Sequence, residues 1–197
     1  MSVPNSFTIK KLSEPQILSI YKEIAVRHFP EDELKPVSMI QRLLLEGCYE
    51  GMGMFSEDRL AGYALFVHAP KSSILLLDYY AILEEYRESG MGSLFLQKMR
   101  EGFAGCPAIL IETEEEAAAS GEEERLQRVR RNAFYLKNGC RRTAVKSSLF
   151  GVAFGIFVMH VEKELTDEEA YKHLKEIYCH IFAGEDFAKY VRMSMET

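Results

Sequence analysis

Between residues 75 and 95 the chain reads LLLDYYAILEEYRESGMGSLF. An apolar strand runs into Arg87-Glu88-Ser89-Gly90-Met91-Gly92, and a helix follows at once. Two glycines let backbone come close to a ligand, and the first turn of a helix leaves N–H groups without acceptors. Those amides and the helix dipole together form a site for phosphate or pyrophosphate. Neither GxGxxG nor GxxxxGK[ST] is present, and a glycine pair at such a junction is also a plain tight connection. Upstream, Asp78 sits among Leu75-Leu76-Leu77 and Tyr79-Tyr80. A carboxylate in so apolar a strand needs a partner, and functional sites are one place where such groups occur. Strand alternation puts Asp78 on one face with Tyr80 and Ile82. Glu112 closes the next apolar strand, and Glu84 lies just past the end of the first.

These residues need elements to hold them. The spacing predicts strands over 7–10, 49–55, 62–67, 72–83, 107–113, 142–148 and 152–161. It predicts helices from Ser13-Glu14-Pro15, over 36–47, 90–102 and 121–138, and from Thr166 to about Ile181. Gly139 follows the long helix as its C′ residue. Residues 185–193 read as another turn or two of helix. The order β-α-α-β-β-β-α-β-α-β-β with a helical tail fits an α/β chain, a mixed sheet covered by helices.

The second segment of interest is Arg130-Arg131-Asn132-Ala133-Phe134-Tyr135-Leu136-Lys137-Asn138-Gly139-Cys140. With it a resemblance becomes plain. The EYRxxGxG string at Glu85–Gly92 resembles the acetyl-CoA signature of the GNAT (Gcn5-related) N-acetyltransferases. The string at Ala133–Cys140 resembles that family's FYxxxGF segment. The likeness spans roughly residues 5–162; residues 1–162 read as the GNAT domain, with 163–197 a C-terminal helical extension of the same domain. It implies an acyl-CoA N-acyltransferase fold in which the strand ending near Leu83 splays from the strand at 107–113. It further implies that pantetheine pairs with main chain at Tyr80, Ala81 and Ile82. Backbone amides of Arg87, Glu88, Ser89, Gly90, Met91 and Gly92 would hold the pyrophosphate. Acetyl-CoA is the implied cosubstrate, no metal is needed, and the acceptor is a primary amine of a small molecule or peptide. The chain departs from the pattern at Glu88 and Ser89, where the family often has a glycine and a basic residue, at Cys140, and at Arg128, where an asparagine is common.

Transfer from a thioester to an amine requires that the amine lose a proton, that the carbonyl oxygen be stabilised, and that the departing thiolate be protonated. Backbone N–H groups meet the second need. Tyr135 occupies the family's acid position, and a phenol is protonated at neutral pH. The base is open between Asp78, Glu112 and a water chain. The acids at 112–116 and 122–124 read as a solvated loop and helix start, or as a lip that attracts a cationic amine. Arg128 and Arg131 pair with those acids or approach phosphates. A second reading is a non-catalytic acyl-CoA-binding module with a sensing or scaffold role.

Composition sets the remaining bounds. The chain has 197 residues, with 24 Lys and Arg against 30 Asp and Glu, for a net charge of −6. That balance disfavours a broad footprint on nucleic acid or on an anionic membrane. No stretch reads as a membrane span or signal peptide, so a cytoplasmic setting is expected. Cys48, Cys106, Cys140 and Cys179 lack metal-ligand spacing and read as small buried hydrophobes. A homodimer is compatible with the resemblance and with the tail helix.

Overall fold

A computed structural model describes residues 7–87, 90–103, 105–182 and 185–196. Contacts divide the chain into two compact units, Met1–Pro70 with Leu77–Gly102 and Lys71–Leu76 with Phe103–Thr197. The division falls within one strand, and residues 163–197 belong to the second unit together with 103–162. The chain is α/β, with eight strands among the described residues.

The first unit opens with β1 (Phe7–Lys11) and α1 (Glu14–Ile20). Ser13 donates its N–H to the Gln16 side chain at 2.9 Å, which fixes the start of α1, with Pro15 in the first turn. A π-helical turn at Tyr21–Ala25 carries the chain into α2 (Val26–His28), and α3 (Val37–Leu45) follows. Then come β2 (Tyr49–Ser56), β3 (Arg59–Val67), β4 (Leu75–Ile82) and α4 (Met91–Gly102). The strands lie in the order β1-β2-β3-β4, with β1 and β3 antiparallel to β2. Helical spacing turns Ile17, Ile20, Ile40 and Leu43 inward, where they are buried with Met54, Leu65 and Phe95.

The second unit is built on β5 (Ala108–Glu114), α5 (Glu122–Lys137), β6 (Arg141–Leu149), β7 (Val152–His160), α6 (Asp167–Ile181), α7 (Glu185–Tyr190) and β8 (Val191–Met195). Its strand order is β5-β7-β6-β8, and every neighbouring pair is antiparallel. Residues 185–193, expected to be helical, are so only in part. The segment 185–193 begins as helix, but Val191–Met195 is a strand whose Val191 pairs with Leu149 and Met195 with Val145. Five residues at a sheet edge give too short a pattern to stand out from a helix end. Gly139, with φ +74, ends α5 as anticipated.

Cys48, Cys106 and Cys140 are buried, whereas Cys179 is exposed on α6 and so departs from the buried reading. Among the described residues no helix is long and apolar enough to cross a membrane, and no cluster of His, Cys, Asp and Glu is arranged to hold a metal.

Candidate active site

In the first unit, β4 delivers Tyr80, Ala81 and Ile82 to a short 3₁₀ turn at Glu84–Tyr86, and α4 begins at Met91. Arg87 folds back on the strand end, its Nε donating to the Ile82 carbonyl at 3.1 Å. The Tyr80 hydroxyl donates to the Gly92 carbonyl at 2.7 Å, and its ring lies against Phe95. This bond fixes the start of α4 to β4. Gly90 has φ +78, and a Cβ placed there would meet nothing within 4 Å among the described residues. The left-handed backbone therefore favours glycine. The amides of Met91, Gly92 and Ser93 head a twelve-residue helix and have no acceptor within it. An oxyanion is the group these features suit. Glu88 and Ser89, the other two residues of the segment, lie outside the described residues.

Asp78 is committed elsewhere. Its carboxylate forms a buried ion pair with the Lys35 ammonium and accepts a hydrogen bond from the Tyr49 hydroxyl at 2.7 Å. Around this pair, Tyr21 donates to the Lys35 carbonyl at 2.5 Å, while Tyr79 accepts from the Lys35 amide and donates to the Glu33 carbonyl, each at 3.0 Å. Burial pushes the phenols of Tyr21, Tyr49 and Tyr79 well above their ordinary range, so they act as neutral donors. Protonating Asp78 would strand the Lys35 charge in a buried site. The base role sketched for Asp78 does not fit these surroundings. The network instead ties the 29–36 connection to β4.

The sequence reading also passed over His28. Its Nδ1 lies 3.1 Å from the Tyr63 hydroxyl, with the two rings stacked. Burial and the Arg87 guanidinium push the imidazole pKa down, against a smaller opposing pull from Glu84.

In the second unit, Tyr135 is buried, with its ring against Phe134 and Phe157. Its hydroxyl makes no hydrogen bond among the described residues. Burial drives its pKa well above the usual phenol range, with Arg131 opposing, so the proton is held until something accepts it. Glu112 is held differently. The Tyr178 hydroxyl donates to its Oε1, and Ser147 Oγ lies 3.2 Å from the same oxygen.

Strand register fixes which way the two groups face. Ile111 lies opposite Phe157, and Glu112 lies opposite Ile156. Directly opposed residues share a face, and successive residues alternate. Tyr135 packs on the Phe157 face, where α5 lies, at 6.0 Å between ring centroids. Glu112 is on the other face, toward α6.

Glu122, Glu123 and Glu124 form the first turn of α5, as expected, but the acids at 114–116 are neither a solvated loop nor an open lip. Arg128 and Arg131 grip Glu114 at 2.8 and 2.5 Å. Arg142 and Lys146 grip Glu115 at 3.0 and 2.6 Å. Glu116 accepts from Asn132 Nδ2 at 2.7 Å. Arg128 and Arg131 thus take the carboxylate option left open by the sequence. This arrangement leaves two buried oxygens, Thr113 Oγ1 and Asn132 Oδ1, without a hydrogen-bond partner among the described residues. Both can accept from an N–H donor, the kind of group a pantetheine chain carries.

No family model matches this sequence, and no curated protein matches it. Solved structures do match. A GNAT-family protein from Bacteroides thetaiotaomicron superposes with a TM-score of 0.64 at 16% identity, covering 87% of this chain and 96% of its own. This is the GNAT acetyltransferase fold. Arabidopsis thaliana NAA60, solved with acetyl-CoA, shares it at a TM-score of 0.58 and 12% identity, covering 79% of this chain and 99% of its own. The ribosomal-protein-S18-alanine N-acetyltransferase of Escherichia coli shares it at 0.57 and 13%, covering 81% of this chain and 97% of its own. The GNAT fold anticipated from the Glu85–Gly92 and Ala133–Cys140 strings is therefore present. Both strings sit where the fold places helix ends, at the start of α4 and the end of α5.

Proposed function

We propose that this chain is an N-acetyltransferase that moves the acetyl group of acetyl-CoA directly to a primary amine. The observation that supports this most is the opposed placement of Glu112 and Tyr135 on β5 and α5. A direct transfer brings the amine to one side of the thioester carbonyl while the thiolate leaves on the other. Groups on two faces of one sheet suit that division.

Glu112 takes a proton from the amine nitrogen as the C–N bond forms. Carbonyl charge is carried by backbone N–H groups. As the C–S bond breaks, Tyr135 donates its proton to the sulfur, leaving free CoA and an amide. The diphosphate of CoA falls to the amides from Arg87 to Gly92, the pantetheine to main chain at Tyr80–Ile82. No metal enters. The acceptor is a small-molecule or peptide amine. The Escherichia coli neighbour is named for an alanine of ribosomal protein S18, which puts peptides with a free N-terminal alanine on the test panel.

The binding half is tested by thermal melting with acetyl-CoA. A ligand at about 100 times its Kd stabilises the folded state by roughly 2.7 kcal/mol, which is about 5–10 °C for a chain of this size. No shift at saturating acetyl-CoA removes the cofactor assignment. A shift, with no acetylated amine found by mass spectrometry, favours the binding module instead.

A further inference from the structure

The strongest unused feature is a buried phenol on the C-terminal extension. Tyr178 lies on the inward stripe of α6 with Leu174, Ile177 and Ile181, and it is fully buried. Phenylalanine would satisfy the packing there. A buried hydroxyl has to find a partner, and this one finds two. It donates to Glu112 Oε1 and lies 3.0 Å from Ser147 Oγ, itself 3.2 Å from the same carboxylate oxygen. Three side chains from β5, β6 and α6 therefore close a triangle on one oxygen.

The helix that carries Tyr178 is fixed at both ends. At its start, Thr166 accepts the Glu169 amide at 3.2 Å. Asp167 bridges Arg141 Nη1 at 2.6 Å and the Ala144 amide at 2.9 Å. At its end, Phe182 packs edge-on against Phe150, which also contacts Tyr190. The phenol is therefore delivered to Glu112 from a rigid element rather than a loop. The terminal torsion of a glutamate is otherwise broad and roughly two-fold. Two donors converging on Oε1 pin it.

We propose that Tyr178 is a positioning residue for the acetyl-transfer reaction: it orients the Glu112 carboxylate, so the C-terminal extension is part of the catalytic apparatus. This rests on the reading of Glu112 as the base. Tyr178 itself touches no reacting atom. Misplacement of a catalytic group by about 1 Å can cost on the order of 100-fold in rate. Tyr178→Phe leaves Ser147 in place, so its effect falls between about 10- and 100-fold on kcat.

The test uses the full chain, acetyl-CoA, and whichever amine of a small-molecule and peptide panel gives the fastest thiol release. Tyr178→Phe, Glu112→Gln and the double variant are compared by kcat, by KM for acetyl-CoA and by melting temperature. The expected result is a lowered kcat for Tyr178→Phe with an unchanged KM for acetyl-CoA. In the Glu112→Gln background the added Tyr178→Phe change should have no further effect on kcat. A Tyr178→Phe enzyme at the wild-type rate, beside a slow Glu112→Gln, overturns the positioning role alone. Equal rate losses in both backgrounds also overturn it, because the tyrosine then acts through the fold. A Glu112→Gln enzyme at the wild-type rate overturns the base reading underneath.

Discussion

Asp78 and Glu112 are both carboxylates on strands with apolar neighbours, and what separates them is the group each one faces. Asp78 meets an ammonium, so its charge is spent on Lys35. Glu112 Oε1 is held by the Tyr178 and Ser147 hydroxyls, which orient the carboxylate. The two therefore respond differently to mutation. Asp78→Ala strands a buried lysine charge and should cost about 3 kcal/mol, or roughly 6–12 °C in Tm. Replacing the pair together by Lys35→Met and Asp78→Leu should recover most of that loss. An unchanged Tm for Asp78→Ala, with thiol release abolished, would return the base role to Asp78. At Tyr135 the loss should fall on turnover. Removing a general acid costs about 100-fold or more, so Tyr135→Phe should lower kcat on that order. CoA affinity, measured by calorimetry, should stay within about twofold. Wild-type turnover would remove the acid role.

At the scale of elements, the β4–α4 junction carries the cofactor assignment. Gly90 has φ +78, and a methyl group there costs backbone strain without a clash among the described residues. Gly90→Ala should destabilise the fold by about 1–2 kcal/mol and weaken CoA binding measurably, since the strained residue immediately precedes the amides proposed to hold the phosphates. Unaltered CoA affinity would place the phosphates elsewhere. The junction was legible in the sequence because strand, glycine pair and helix follow one another without interruption. Glu112 was legible as a carboxylate on an apolar strand, although β5 does not close there and runs on to Glu114. The partners of these residues were not. Lys35 sits in a connection with no periodicity, and its meeting with Asp78 depends on how the chain folds back. Tyr178 belongs to the same helical stripe as Leu174 and Ile177, where a tyrosine reads as packing. Its polar tip was the one available sign, since a buried hydroxyl implies an acceptor. The eighth strand escaped because an edge strand of five residues draws its order from Val145–Leu149, its pairing partner.

Over the whole molecule the net charge of −6 conceals where the charges are spent. The acids at 114–116 look like a negative surface in the sequence, yet Arg128, Arg131, Arg142 and Lys146 consume them. Stability at low pH should show this. Burial works to raise the Glu115 pKa, but hydrogen bonds from Lys146 and Arg142 outweigh it and hold the carboxyl below its ordinary range. Asp167 is held down likewise, with burial opposed by the Ala144 amide and Arg141. A carboxylate depressed in the folded state contributes stability above its unfolded pKa of about 4 and loses it as pH falls through the folded value. His28, whose pKa is also lowered, adds an earlier decline, because the unfolded chain takes up that proton from about pH 6.5 downward. Tm should therefore fall gently from near pH 6.5 and steeply below about pH 4; a flat profile to pH 3 would contradict these pairings.

The central claim is that acetyl-CoA is spent on an amine. Thiol release from acetyl-CoA, followed with each member of an amine panel and with none, tests it most directly. Release should saturate with at least one amine and stay near the blank without it. Release at the blank rate with every amine, by a protein that acetyl-CoA nevertheless stabilises, would contradict it.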